Sequence, residues 1–235
     1  MDYTIISVSD RAIENIANNK KILDEKNFNF HQLVFFNGNS EDSDPFEELK
    51  SMGYNTSSWS PVDGRKSPML KTEAATWISN IRIYEYIVKN KIKNFLILED
   101  DILLHPDFVE RLDLFVKELP KDYDFLSLFY MKAHNKKSKE VDLGLQYIQK
   151  SDNQKAGYQA TLFSYVGAKK MLRLLQKRGL VYTNDCTLFF FAQNKMLNGY
   201  SKTRNSPRML SHDISLKSEI DPENYRKLNL KDDIV

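Results

Sequence analysis

The chain carries three acidic residues in a row, Glu99, Asp100 and Asp101, directly after the apolar run at 95–98. The length and residue types of that run are typical of a buried strand, so we expect the acids at or just beyond its carboxyl end. Open α/β sheets bind ligands in the crevice at that end of their strands. Adjacent carboxylates repel one another, and a divalent cation such as Mg²⁺ or Mn²⁺ relieves the repulsion. The alternative is that the acids are solvated loop residues or cap the helix that follows.

Length and composition are those of an ordinary globular protein. The 235 residues suffice for one substantial core, and 41% hydrophobic and 12% aromatic residues argue against disorder. The net charge of +2 implies no strong field for a polyanion. A single cysteine, Cys186, excludes an internal disulfide framework and a thiolate zinc cluster. Because the sequence shows neither a signal peptide nor an apolar stretch of about 18 residues, we expect a cytoplasmic location.

Strands and helices are predicted to alternate along the first half of the chain. Periodicity, capping residues and Gly or Pro positions define the boundaries. The predicted strands are 3–8, 32–36, 95–98, 124–129, 145–149 and 158–164; the predicted helices are 9–23 including its cap, 45–52, 72–90, 106–119, 167–177 and 185–197. The tail after residue 200 is predicted to be mostly irregular. This alternation indicates a parallel sheet with helices on both faces and a mixed extension in the second half.

Short segments along most of the chain follow the order and spacing of a known family. They are strand 5–8 with Asp10-Arg11, the loop Val62-Asp63-Gly64, Glu73 and Ser79 in the long helix, the acidic strand end 98–101, the segment 157–168 and the segment 216–220. On these segments the chain resembles glycosyltransferase family 25, which includes lipopolysaccharide and procollagen galactosyltransferases. It departs from the family pattern at Asn80, where the family has His, and at Thr76, where Cys is usual. Tyr158-Gln159 also replace smaller residues.

The resemblance implies a GT-A-like nucleotide-sugar transferase fold of the α/β class, with a central, mostly parallel mixed sheet flanked by helices. It implies one domain over 1–235, with a nucleotide-sugar-binding half at 1–130 and an acceptor half with the C-terminal tail at 131–235. The implied reaction moves a hexose, galactose or glucose, from a nucleotide-diphosphate sugar to an acceptor hydroxyl with inversion. A UDP-sugar is the expected donor. The acceptor is a saccharide or another hydroxyl compound, and a modified DNA base is among the alternatives.

In such a reaction negative charge grows on the leaving diphosphate, and a divalent cation stabilises it as a Lewis acid. Asp101 is the predicted ligand of Mn²⁺ or Mg²⁺, with Glu99 or Asp100 reaching the ribose or a water on the cation. His212 is a second candidate ligand, and the alternative is an exposed tail histidine. Arg11, just beyond the first strand, is a candidate contact for a phosphate or the base-ribose region. Its alternative is a surface ion pair.

An inverting transfer also needs a general base that takes the proton of the acceptor hydroxyl. The resemblance puts Asp185 at the position of an acidic residue of the family, so Asp185 is the first choice. The alternative is a helix N-cap, which Asn184 would serve equally well. Asp63 in the Val-Asp-Gly loop is a candidate contact for the nucleotide, although Asp-Gly is also a common turn sequence.

Two other classes of protein also place acids at strand ends. A metal-dependent phosphohydrolase or nuclease normally has further His or Asp clusters for a second metal, and this chain has four scattered histidines. A non-catalytic sugar-binding domain would use the acids as a structural cation site. Release of nucleotide from nucleotide sugars, with and without Mn²⁺, distinguishes the three classes.

Overall fold

A computed structural model describes residues 1–8, 12–38, 43–60, 68–129, 147–151, 158–203 and 206–212. In chain order the elements are β1 Asp2–Ile6, α1 Ile13–Asp24, β2 Asn29–Phe30, α2 Pro45–Ser51, α3 Lys71–Lys89, β3 Asn94–Glu99, β4 Ile102–Leu104, α4 Phe108–Glu118, β5 Phe125–Ser127, β6 Ile148–Lys150, β7 Ala160–Ser164, α5 Tyr165–Arg178, α6 Asn184–Gln193, β8 Gly199–Lys202 and β9 Leu210–His212. None of the helices in these ranges is both long and apolar enough to cross a membrane.

Seven of these strands form one mixed sheet in the order β2-β1-β3-β7-β5-β8-β6. The pairs β1–β2, β1–β3 and β5–β8 are parallel. The pairs β3–β7, β5–β7 and β6–β8 are antiparallel. Five of the seven strands therefore run in one direction, against β7 and β6, which confirms the mostly parallel mixed sheet predicted from the sequence. The carboxyl ends of β1, β3, β5 and β8 share one side of the sheet, which we call the carboxyl edge.

Apolar side chains cover both faces of this sheet. Helices α2, α3, α5 and α6 enclose one buried cluster, and α1 and α4 enclose the other. Successive side chains of β3 point to opposite faces of the sheet, so they are divided between the two clusters. Phe95 and Ile97 belong to the first cluster, whereas Leu96 and Leu98 belong to the second. Helices on both faces, as predicted, are confirmed.

The segment at 32–36 is not a strand, so that prediction is wrong. The place beside β1 is taken by β2, Asn29–Phe30, a few residues earlier. The chain then runs along α3, where the Phe36 N–H donates to Ser79 Oγ at 3.0 Å. Gly38 lies so close to α3 that a Cβ there would be 2.9 Å from the nearest helix atoms. Leu33, Phe35 and Phe36 are partly buried against the cluster that α3 encloses, whereas Val34 is exposed, so the segment does not need strand pairing.

The tail predicted to be mostly irregular contains residues of two strands in its described parts, 201–203 and 206–212, and the rest of it lies outside the described residues. Strand β8 ends at Lys202, and β9 forms a separate two-stranded sheet with β4, which was not predicted either. Strands of three residues carry too little pattern to be recognised locally, because their stability depends on a partner distant in sequence.

The N-terminus of α5 packs directly on the chain that enters β5. Ser164 Oγ accepts a hydrogen bond from the Gly167 N–H at 3.0 Å and donates one to the Tyr123 carbonyl at 2.8 Å. A Cβ on Gly167 would lie only 2.0 Å from the Asp124 carbonyl oxygen. This contact exists because residue 167 has no side chain.

Gly167→Ala is expected to destabilise the protein by about 3 kcal/mol or more, since the added methyl must push α5 off a backbone carbonyl. Gly53→Ala is the matched control, because Gly53 has φ 80° but no atom near its missing Cβ. At Gly53 the only expected loss of stability is the cost of holding alanine at a positive φ, about 1 kcal/mol. Urea unfolding of both variants measures the difference, and equal losses would contradict the close packing at Gly167.

Candidate active site

Asp100 fixes the end of β3 to the end of β1. Its side chain is 4% exposed, and Oδ2 accepts a hydrogen bond from Ser7 Oγ at 2.7 Å. Ser7 directly follows β1, so this bond joins the carboxyl ends of two adjacent parallel strands. A charged acceptor makes such a bond stronger than one between neutral groups. Asp100 therefore shapes the carboxyl edge.

Glu99 extends to the other face of the sheet. It continues the alternation of Phe95 and Ile97, which face α3. Its N–H donates to the Gln159 carbonyl at 2.9 Å, which holds it opposite the start of β7. The three consecutive acids thus diverge, and Glu99 and Asp100 do not converge on one ligand atom.

Asp101 begins the turn into β4, and β4 is held on both sides. Asn19 Nδ2 donates to the Ile102 carbonyl at 2.7 Å, and Asn19 Oδ1 accepts from the Leu104 N–H at 2.9 Å. On the other side, β4 pairs with β9 so that Ile102 is directly opposite His212. The pairing brings the backbone of His212 next to Asp101, although the two residues are distant in sequence.

A divalent cation is compatible with this arrangement. No group of three or more His, Cys, Asp or Glu side chains arranged to hold a metal occurs among the described residues. Mg²⁺-type sites in phosphate-binding enzymes commonly use one or two protein ligands and complete the shell with substrate phosphates and water. Asp101 lies at the carboxyl edge, where one protein carboxylate of this kind is compatible with such an open site.

Behind Glu99 lies a buried chain of hydrogen bonds that we call the tyrosine network, made of Tyr84, Tyr158 and Asn184. The two tyrosine hydroxyls are 3.0 Å apart, and Tyr84 Oη donates to Asn184 Oδ1 at 3.3 Å. Burial raises the pKa of both hydroxyls, and the negative charge of Glu99 further raises the pKa of Tyr158. The network connects β7 and α3 to the start of α6. Sequence reasoning missed it, and the unusual residue at Tyr158 was its only sequence signal.

Asp185 lies at the start of α6, next to Asn184 of the tyrosine network. Its Oδ1 accepts hydrogen bonds from Thr183 Oγ1 and from the Cys186 N–H, each at 2.7 Å. Thr183 occupies the N-cap position, so Asp185 sits in the first turn of the helix. A carboxylate there is stabilised by the helix dipole. Both bonds use Oδ1, so among the described residues Oδ2 is the oxygen that remains for another proton donor.

A lysine lies on the same edge at the end of β8. Burial lowers the pKa of Lys202, and the positive charge of Arg208 lowers it further. Sequence analysis did not single out Lys202, because a lysine near the end of a strand carries no distinctive pattern. It adds a cationic group in the second half of the chain.

The structure therefore brings the sequence-predicted residues into two groups. Asp101 directly precedes Ile102, which is paired with the backbone of His212, and the tyrosine network reaches Asn184, the residue before Asp185. The predicted nucleotide contacts Arg11 and Asp63 lie outside the described residues.

A mixed sheet of this order with acids at its carboxyl edge is the GT-A-like glycosyltransferase architecture. The sequence matches the family described as glycosyltransferase family 25 (LPS biosynthesis protein) over residues 11–188. Since the match covers most of the chain, the protein belongs to glycosyltransferase family 25. The predicted family is thereby confirmed.

Two solved structures resemble this one at low sequence identity. One is a glycosyltransferase involved in glycosylation of the major capsid of PBCV-1, at 8% identity and TM-score 0.49, covering 94% of this chain and 97% of that chain. Another is a mutant Drosophila β-1,4-galactosyltransferase 7 in complex with manganese, UDP-Gal and xylobiose. It has 11% identity and TM-score 0.41, covering 100% of this chain and 81% of that chain. No curated protein sequence matches the chain.

The tyrosine network predicts a loss of stability in alkali. The pKa of Tyr84 and of Tyr158 is raised in the folded state above the ordinary value of 10.0. The stability they contribute is therefore fully present below pH 10 and is lost as the pH rises through the folded-state values. Tyrosinate absorbance and far-UV circular dichroism, followed together, should show both hydroxyls ionising only as the helices unfold.

Tyr158→Phe provides the comparison, since it should remove one tyrosine from the unfolding-linked absorbance step. If the step keeps its full size in this variant, Tyr158 ionises in the intact protein and its hydroxyl is not buried.

Proposed function

We propose that this glycosyltransferase moves a hexose, galactose or glucose, from a UDP-sugar to an acceptor hydroxyl, with inversion and with dependence on Mn²⁺ or Mg²⁺. The observation that carries the proposal is the end of β3, where Asp101 meets the β4–β9 pair and Glu99 faces the tyrosine network. A saccharide is the proposed acceptor.

The first half of the chain, 1–130, would bind the donor. Asp101 and His212 would hold the cation, which when bound stabilises the charge on the departing diphosphate as a Lewis acid. Asp100, bound to Ser7, keeps the acidic turn in position beside β1. For Glu99 we propose contact with the ribose or with a water on the cation. For Arg11 we propose contact with a phosphate, and for Asp63 contact with the nucleotide.

The second half, 131–235, would bind the acceptor. Asp185 is the proposed general base, supported by its place in the first turn of α6 beside the tyrosine network. The acceptor oxygen attacks the anomeric carbon while Asp185 takes its proton. The bond from that carbon to the diphosphate oxygen breaks, and its electron pair leaves with the nucleotide diphosphate. One displacement of this kind inverts the anomeric configuration.

A panel of nucleotide sugars tests the proposal directly. Purified protein is incubated with each donor, with and without Mn²⁺, and free nucleotide is measured. Slow, metal-dependent hydrolysis of one donor is expected, because water replaces the missing acceptor. Degradation of nucleic acid would indicate a nuclease instead, and inertness towards every donor would indicate a binding domain.

Asp101→Asn is expected to keep the fold and to lose Mn²⁺-dependent donor binding, because it removes the charge of the proposed ligand with little change in shape. Glu99→Gln should weaken donor binding less. Asp113→Asn, the same change on the exposed face of α4, serves as the control. Calorimetric titration of donor with and without Mn²⁺ measures all three, and unchanged binding by Asp101→Asn would remove Asp101 from the site.

Asp185→Asn should lower turnover by roughly 10²–10⁴-fold with nearly unchanged donor affinity, because a general base acts in the transition state. If Asp185 only stabilises the first turn of α6, the variant should instead lose about 1 kcal/mol or less of stability and keep its turnover. Steady-state kinetics with an accepted saccharide, together with thermal unfolding, separates the two roles.

A further inference from the structure

Two buried amide oxygens near the tyrosine network have no hydrogen-bond partner within the part of the chain that the structure describes. They are Asn80 Oδ1, on a residue that is only 1% exposed, and Gln159 Oε1. A buried acceptor without a donor is destabilising, because it has lost its water and gained nothing in exchange. Most buried polar groups in folded proteins are paired, so each exception needs a physical explanation.

The direction of the Asn80 side chain follows from its other hydrogen bond. Its amide nitrogen donates to the Thr76 carbonyl at 2.9 Å, one turn earlier in α3. Only the NH₂ group can donate, so this bond assigns the nitrogen to the Thr76 side and directs Oδ1 away from it.

The neighbours of Asn80 on α3 show which part of the protein this face of the helix packs against. Trp77 lies three residues before Asn80 and Tyr84 four residues after, so the three share one side of the helix. Trp77 Nε1 donates to the Tyr182 carbonyl at 3.0 Å, and Tyr84 Oη donates to Asn184 at 3.3 Å. Asn80 therefore lies between Trp77 and Tyr84, which both bind the segment at the start of α6. Asp185 is in the first turn of that helix.

Gln159 lies on the other side of the tyrosine network. It directly follows Tyr158, and its carbonyl holds the N–H of Glu99 at the end of β3. Gln159 and Asn80 thus flank the tyrosine network, which extends from Tyr158, the residue before the backbone partner of Glu99, to the start of α6 that carries Asp185.

We propose that Asn80 and Gln159 accept hydrogen bonds from hydroxyl groups on the sugar ring of the donor and so determine which hexose is used; this inference rests on the proposed function. A sugar hydroxyl is the donor group that each amide oxygen lacks. A site built to pair with a hydroxyl discriminates strongly against an analogue without it, because the buried acceptor is then left unpaired. The two residues are thus specificity determinants, whereas Asp185 performs the proton transfer.

Asn80→Leu tests this role, since leucine has a similar size but no acceptor. The wild type should bind the accepted nucleotide sugar at least about tenfold more tightly than one of its single-deoxy analogues, and the variant should bind the two equally. Calorimetric titration in the presence of Mn²⁺ measures binding without requiring an acceptor. Removal of an unpaired oxygen should also leave the melting temperature of the free protein unchanged or higher.

Asn94→Leu is the matched control, because Asn94 is an amide at the amino end of β3, away from the carboxyl edge, and its Oδ1 accepts a hydrogen bond from Tyr123 Oη at 2.7 Å. This change should lower the melting temperature and leave the ranking of the deoxy analogues as in the wild type. Gln159→Met tests the second residue separately, and it should abolish discrimination at a different hydroxyl.

Wild-type discrimination among the deoxy analogues in both Asn80→Leu and Gln159→Met would overturn the inference while leaving the transferase proposal intact. Should the wild type bind and hydrolyse none of the nucleotide sugars, the proposed function and this inference would fail together.

Discussion

The antiparallel pairing of β3 with β7 is the interaction on which the candidate site depends. β7 lies between β3 and β5 in the middle of the sheet, so it joins β2, β1 and β3 on one side to β5, β8 and β6 on the other. Buried backbone groups must be paired, and this ladder satisfies those of the most deeply buried strand. At its end, the hydrogen bond from the Glu99 N–H to the Gln159 carbonyl brings Glu99 beside the residue that follows Tyr158 of the tyrosine network. If this pairing slipped by one residue, the side chains of β7 would exchange faces and the network would not form.

The sequence allowed the main elements to be predicted, for reasons visible in β3 and α3. β3 is a compact apolar run between polar residues, and α3 repeats apolar residues at helical spacing over many turns. Strand 32–36 was predicted wrongly because its apolar residues satisfy either a sheet or a helix surface, and only the fold decides between them. β4 and β9 were not foreseen, since each is short and acquires its structure from the other.

The candidate site likewise has features that could be predicted from the sequence and features that could not. The acids at the end of β3 could be located from sequence, because position at a strand end is a local property. Their divergence could not, since Asp100 turns towards Ser7 and Glu99 towards Tyr158 through contacts made by other elements. The bond between Tyr84 and Asn184 likewise joins residues far apart in the chain. Asn80 and the Tyr158-Gln159 pair, where the sequence departs from the family pattern, are positions of the tyrosine network and of two buried amide oxygens that lack a hydrogen-bond partner among the described residues.

The β4–β9 pair also bears on how the protein reaches its working form. Every other strand contact near the acidic turn can form before β9 exists, because β1, β3 and α1 all precede it in the chain. Closing a long loop is entropically costly, and such contacts tend to form late. During synthesis the central sheet could therefore assemble while Asp101 still lacked its neighbouring strand. The acidic turn is then completed in a separate step, after the core has formed. A chain with a folded core can therefore still lack the β4–β9 pair beside Asp101.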